Sequence, residues 1–223
     1  MKKPERHDGY DWEKVRLARR RIEEGFYDEG LLEDLVEWGF LDRFVERIAS
    51  CPYVSDEHPN AGNTFRDLTA MVLAASLPHV IDRPLIRIEF QSEAGRGDID
   101  LPLRIEALGN DCVWMGWVRR YGMTSIVVEA KNMRNKAGVE EVRQLEDYLR
   151  NGSLGRMGFL VSRNGFSKNA SHKIIEQAHR KECLIIPFSA KTLGGLATAA
   201  KVGPQATTKF LRRQETLLMQ ASA

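Results

Sequence analysis

The sequence is poor in cysteine and lacks the motifs that several enzyme classes need. Its 223 residues include 3 cysteines, which lie far apart and form no Cys-x-x-Cys pair, so a disulfide framework or a cysteine-rich zinc site is excluded. No Gly-x-Ser-x-Gly elbow, Gly-x-x-x-x-Gly-Lys loop or Gly-x-Gly-x-x-Gly turn is present. These absences argue against a serine hydrolase, a built-in ATP motor and a dinucleotide-dependent dehydrogenase.

Long apolar runs are also missing. No stretch approaches the roughly 20 apolar residues of a membrane span, and the first residues are not followed by an apolar segment of signal-peptide length. We therefore expect a cytoplasmic protein that has no membrane partner.

The formal net charge is only +2, but the charge is unevenly distributed. Residues 151–223 contain 11 Lys and Arg against 3 Asp and Glu, whereas residues 1–150 contain 22 against 28. A basic C-terminal third favours contact with the phosphate backbone of a nucleic acid. A solvated basic surface without a ligand would give the same composition.

Hydrophobic periodicity predicts an alternation of helices and strands along the chain. Helices are expected within 11–49 and over 63–77, and the turn-rich segment 51–63 lies between them. The extended segments are 86–90, 98–101, 113–118, 125–130, 157–161 and 184–187, and the later helices cover 139–150, 168–180, 190–200 and 205–219. This order predicts an α/β sandwich with a mixed central sheet flanked by helices on both faces. The predicted organisation is an N-terminal helical segment (1–59), a main domain (60–200) and a C-terminal basic helix (201–223).

Trp114 and Trp117 lie in the predicted strand 113–118. Residues three apart cannot share a strand face, so at least one of these rings is expected to be exposed or at an interface, where it could stack on a base. Core packing of the rings is the default alternative.

Two of the predicted strands bring charged residues to one face of the sheet. In strand 125–130 and just after it, Glu129 and Lys131 alternate with Val128 and Ala130, and in strand 98–101 Asp98 and Asp100 alternate with Ile99 and Leu101. If the two strands pair, three carboxylates and one lysine converge. Carboxylates on neighbouring strands repel one another unless a cation compensates them. Mg²⁺ prefers such oxygen ligands, although a surface ion pair of Glu129 and Lys131 remains the alternative.

These residues resemble the Asp…Glu-x-Lys signature of the PD-(D/E)XK nuclease superfamily, which has the restriction-endonuclease-like fold. Gln144 and Tyr148 resemble the Gln-x-x-x-Tyr element of its Mrr-like branch, and the order of helices and strands agrees over about 60–190. The resemblance implies that Asp100 and Glu129 bind Mg²⁺ or Mn²⁺, with Asp98 as an auxiliary or competing ligand. It also implies that Lys131, Gln144 and Tyr148 serve catalysis, although Gln144 and Tyr148 also fit a polar helix edge beside a core-lining tyrosine.

The turn after strand 157–161 is a second candidate region. Arg163, Asn164 and Lys168 surround a polar glycine turn that leads into a helix, which is a suitable place to bind phosphate. An ordinary strand-to-helix turn with Ser167 as the N-cap explains the same residues equally well.

Together, these features predict a metal-dependent nuclease that hydrolyses DNA, with RNA as an open possibility, in restriction, phage defence or repair. A homo-oligomer or a partner protein is expected to use the N-terminal helices. The alternative is a non-cleaving nucleic-acid-binding or assembly module of the same fold.

Overall fold

A five-stranded mixed sheet forms the centre of the molecule. The computed structural model describes residues 40–58, 61–77, 80–81, 87–91, 97–103, 112–151 and 155–221. In spatial order, the strands are β1 (Arg87–Gln91), β2 (Gly97–Pro102), β3 (Ser125–Lys131), β4 (Met157–Ser162) and β5 (Leu184–Phe188). Strands β1, β2 and β3 are antiparallel neighbours, whereas β3, β4 and β5 run parallel. The predicted pairing of the two acidic strands, β2 and β3, is therefore confirmed.

Helices cover both faces of this sheet. In chain order, they are α1 (Phe40–Ser50), α2 (Ala61–Ser76), α3 (Cys112–Tyr121), α4 (Val139–Asn151), α5 (Lys168–Arg180), α6 (Ala190–Val202) and α7 (Pro204–Gln220). The parallel strands are joined by crossovers through α4 and α5, as parallel pairing requires. Within the described residues, no helix is long and apolar enough to cross a membrane.

Alternate residues of the strands enter two apolar clusters, one on each face. In β3, Ile126 and Val128 lie in the larger cluster with residues of α1, α2, α3 and α6. Val127 lies in the smaller cluster with residues of α4 and α5. Because both faces of the central strands are buried, their sequences are nearly continuous apolar runs. The predicted restriction-endonuclease-like α/β sandwich is confirmed.

Helix α1 packs onto this sandwich. Its residues Leu41, Phe44 and Ile48 are buried in the larger cluster, and the helix contacts α2 and α6. The helices predicted before residue 40 lie outside the described residues. The division into segments 1–59, 60–200 and 201–223 stays a prediction.

The strand predicted over 113–118 is wrong, because these residues belong to helix α3. Trp114, Trp117 and Tyr121 are all buried, and spacings of three and four residues place them on one helical face. The expectation of an exposed tryptophan is wrong for the same reason. Trp114 Nε1 donates a hydrogen bond to Thr208 Oγ1 at 3.1 Å, and Trp117 Nε1 donates one to Glu215 Oε2 at 2.9 Å. These two bonds join α3 to α7.

Candidate active site

The register of β2 and β3 places the predicted acidic positions on one face of the sheet. Asp100 is opposite Val127, and Ile99 is opposite Val128. Ile99 and Val128 are buried in the larger cluster, so the pleat gives Asp98 and Asp100 positions on the opposite face, which faces α4 and α5. Val127 occupies that same face. The side chains of both aspartates lie outside the described part of the structure.

Glu129 and Lys131 form an ion pair at the carboxyl end of β3. Lys131 Nζ lies 2.5 Å from Glu129 Oε1, and the exposed fractions of the two side chains are 23% for the lysine and 9% for the glutamate. Lys131 Nζ also donates a hydrogen bond to Gln144 Oε1 at 3.3 Å. The structure therefore brings together three of the predicted residues, and the carboxylate among them is almost fully removed from water.

Helix α4 positions Gln144 because its apolar face is fixed on the sheet. Val142, Leu145 and Leu149 are buried against Val127 and neighbouring strand residues. This packing turns the next helical stripe, which contains Gln144, toward the end of β3. Tyr148 lies one turn further along, is half-buried and packs against the same cluster. Its catalytic role stays a prediction.

A buried ion-pair cluster fixes α4 on α5. The Glu146 carboxylate is 2.6 Å from Arg150 Nη2 and 3.3 Å from Lys173 Nζ. Burial, followed by the charge of Glu146, raises the pKa of the neighbouring Cys183 thiol to about 11. Because Glu146 has two cations, its charge is compensated within the protein. We assign it a structural role that the sequence analysis missed.

The chemistry of the β3 end fits a divalent cation. Among the residues whose side chains the structure describes, no group of three or more His, Cys, Asp and Glu side chains is placed to hold a metal ion. The side chains of Asp98 and Asp100 are not among those described. Glu129 has a buried carboxylate of the kind that hard cations prefer. The ammonium group of Lys131 contacts this carboxylate. The residues present are therefore compatible with Mg²⁺ or Mn²⁺.

Arg163 holds the segment between α1 and α2 against the ends of β3 and β4. Its Nε and Nη2 donate to Ala49 O at 3.1 and 2.8 Å, and its Nη1 donates to Cys51 O. Its guanidinium carbon also lies 4.2 Å from the centroid of the Tyr53 ring. These contacts give Arg163 a structural role. Its predicted contact with nucleic acid stays a prediction.

The other two residues of this turn differ in their surroundings. Asn164 Nδ2 donates to Tyr53 Oη at 2.8 Å and lies within hydrogen-bonding distance of the carbonyls of Met133 and Arg134. Lys168 is exposed at the start of α5. The side chain of Ser167 accepts from Ala170 N, so the alternative of an N-capped turn is correct as a description of the local structure. The predicted contacts of Asn164 and Lys168 with phosphate stay predictions.

A groove that the sequence analysis did not anticipate opens beside the end of β3. Its volume is about 750 Å³, and residues 53–58 and 132–135 line it. The sequence predicts a turn-rich boundary over 51–63 and predicts no element over 132–135. The two segments are distant in sequence, so no local pattern indicated that they face each other.

Comparison with known protein families identifies the class to which this chain belongs. A family model described as a restriction endonuclease, the Mrr-type catalytic domain, matches residues 61–186. This match covers more than half of the chain and extends from α2 into β5. The protein therefore belongs to this restriction endonuclease family, which has a PD-(D/E)XK-type catalytic domain. No curated protein and no solved structure shows significant similarity to the chain.

Proposed function

We propose that the protein is a divalent-metal-dependent nuclease that hydrolyses phosphodiester bonds in DNA and acts in restriction, phage defence or repair. The observation that carries this proposal is the buried Glu129 carboxylate, with Lys131 Nζ at 2.5 Å. It lies at the end of a strand whose neighbour holds Asp98 and Asp100. Membership of the restriction endonuclease family supports the same activity.

Each residue of the site has a proposed task. Asp100 and Glu129 would hold Mg²⁺ or Mn²⁺, with Asp98 as an auxiliary ligand. A divalent cation bound there supplies Lewis-acid stabilisation of the charge that develops on the phosphate oxygens. Lys131 keeps a positive charge beside Glu129 and positions the attacking water or stabilises developing charge. Gln144 Oε1 accepts a hydrogen bond from Lys131 Nζ and so orients the ammonium group.

The basic C-terminal third supplies the contact with the DNA backbone in this proposal. Lys168 is exposed at the first residue of α5, where the helix N-terminus also favours an anion. Tyr148 is proposed to support the scissile phosphate or water from α4. The proposed localisation is cytoplasmic.

Cleavage assays with matched variants test the proposal. Supercoiled plasmid, linear duplex, single-stranded DNA and RNA are incubated with Mg²⁺, Mn²⁺ or EDTA. We expect metal-dependent cleavage of DNA that falls at least about a hundred-fold in Glu129→Gln and in Lys131→Ala. Glu140→Gln, which changes an exposed glutamate on α4, should retain full activity. A greater loss in Asp98→Asn than in Asp100→Asn would reverse the roles of the two aspartates.

Other outcomes would assign a different function. DNA binding without cleavage under any metal condition, unchanged by Glu129→Gln, would indicate a non-cleaving binding module. Cleavage of RNA alone would overturn the proposed substrate.

A further inference from the structure

The groove lies at the end of β3, next along the chain to the candidate active site. Asn132, which lines the groove, directly follows Lys131 in the chain. A volume of about 750 Å³ lies within the usual range for ligand sites, roughly 300–1,000 Å³. The chain therefore passes directly from the lysine of the candidate site into the lining of the groove.

The lining combines apolar surface with polar edges. Tyr53 is half-buried, and Val54 is 56% exposed, one of three large apolar side chains exposed among the described residues. Asn135 is exposed and lines the groove beside them, and its amide group can both donate and accept. A nucleobase has the matching chemistry, because its faces stack on aromatic and apolar groups and its edge forms hydrogen bonds.

The charge of the lining disfavours a phosphate as the occupant. Asp56 and Glu57 are exposed and contribute two carboxylates, whereas the basic side chains of the lining are Arg134 and the imidazole of His58. Carboxylates repel a phosphate but accept hydrogen bonds from the amino groups of bases. We propose that this groove binds the nucleobase next to the cleaved bond, stacked against Tyr53. This inference rests on the proposed nuclease function.

The wall that carries Tyr53 is already held in place. Arg163 lies over its ring, and Asn164 donates to its hydroxyl oxygen. Arg134, which lines the groove, also lies over the ring, with its guanidinium carbon 5.9 Å from the centroid, so a base stacked on that side would displace or cover this arginine. Asn132 Nδ2 also donates to Pro52 O at 2.6 Å. Because this wall is ordered before a ligand binds, binding costs less conformational entropy.

Oligonucleotide binding and cleavage test the inference separately. Fluorescence anisotropy in EDTA measures affinity for short single-stranded and duplex DNA, and cleavage with Mg²⁺ gives KM and kcat. Because stacking of one base on an aromatic ring changes affinity by about five- to 150-fold, Tyr53→Leu should weaken binding and raise KM within that range, with little change in kcat. Tyr53→Phe keeps the ring and should bind like the wild type.

Neutralising the carboxylates gives a second test that does not disturb the wall. If they contact a base, the double variant Asp56→Asn, Glu57→Gln should bind about two- to ten-fold more weakly than the double variant Glu140→Gln, Asp147→Asn. That control removes two exposed carboxylates from α4 and so measures the general effect of the same charge change on DNA affinity.

The outcomes separate this inference from the nuclease proposal. Unchanged affinity and KM in Tyr53→Leu would overturn the base site even if the wild type cleaves DNA. Tighter binding by the neutralised double variant than by the control variant Glu140→Gln, Asp147→Asn would also overturn it, since the groove would then hold a phosphate. Binding that depends on Tyr53, without cleavage under any metal condition, would support the base site and overturn the nuclease proposal.

Discussion

Replacing Lys131 with methionine tests whether its charge compensates the buried Glu129 carboxylate. Methionine keeps much of the apolar stem and removes the ammonium group, which lies 2.5 Å from Oε1. Breaking a fully buried ion pair costs about 3–5 kcal/mol, because one charge stays desolvated and unpaired. The Lys131 side chain is 23% exposed, so water partly reaches the site. We therefore expect the free energy of unfolding to fall by about 2 kcal/mol in EDTA.

A double-mutant cycle measures this interaction directly. Urea unfolding is compared for the wild type, Lys131→Met, Glu129→Gln and the double variant. The coupling energy should be about 1–3 kcal/mol, as is usual for residues in direct contact. Lys136→Met is the control, because Lys136 is an exposed lysine in the connection between β3 and α4, and its effect should stay within about 0.5 kcal/mol. A coupling energy near zero would refute the reasoning.

The same variants show whether a divalent cation uses this carboxylate. A ligand that binds only the folded state stabilises it according to its concentration and affinity. Mg²⁺ should therefore recover part of the stability lost in Lys131→Met and should stabilise Glu129→Gln least. Equal stabilisation of all variants by Mg²⁺ would place the cation elsewhere.

Two further predictions concern the scaffold. Arg163→Gln should lower the free energy of unfolding by about 2 kcal/mol, because the carbonyls of Ala49 and Cys51 lose a charged donor; an unchanged urea midpoint would contradict this. Cys183 should make stability depend on pH, because burial raises the pKa of its thiol from 9.0 to about 11. Between pH 9.0 and about 11 the thiol is protonated in the folded protein but ionised in the unfolded chain. The free energy of unfolding therefore contains a term that is complete below pH 9.0 and is lost as the pH rises toward 11, so wild-type stability should fall more steeply there than that of Cys183→Ala. Parallel pH curves would contradict it.

The local signals in the sequence predicted most of the sheet and part of the site. The two-residue alternation in β3 predicts that Glu129 and Lys131 share one face, and the two side chains form an ion pair there. The alternation in β2 likewise agrees with the register, which puts Ile99 opposite Val128. Such patterns succeed because strand alternation depends only on neighbouring residues.

Features that depend on distant partners could not be predicted in this way. The local sequence of α3 predicts a strand, but the segment is a helix. Trp114 and Trp117 donate hydrogen bonds to side chains 94 and 98 positions later in the chain. Arg163 resembles a phosphate-binding residue in its turn, but its carbonyl partners lie 112 to 114 positions earlier. Tertiary contacts determine that α3 is a helix and that Arg163 binds these carbonyls, and a single sequence carries no direct record of them. The predicted contact of Arg163 with nucleic acid stays a prediction.

The two buried glutamates of α4 and β3 differ in how their charge is compensated. Glu146 is close to both Arg150 and Lys173, so that cluster carries enough positive charge to balance it. Glu129 has Lys131 as its described cationic partner, and Asp98 and Asp100 occupy positions on the same face of the neighbouring strand. Buried ion pairs contribute little to stability in comparison with apolar packing, so stability alone does not explain two acidic positions beside a buried glutamate. Among the described side chains, Lys131 is the cation in contact with Glu129, and an added cation would compensate the charge of the two further acidic positions. We therefore expect the end of β3 to bind metal rather than the balanced cluster on α4.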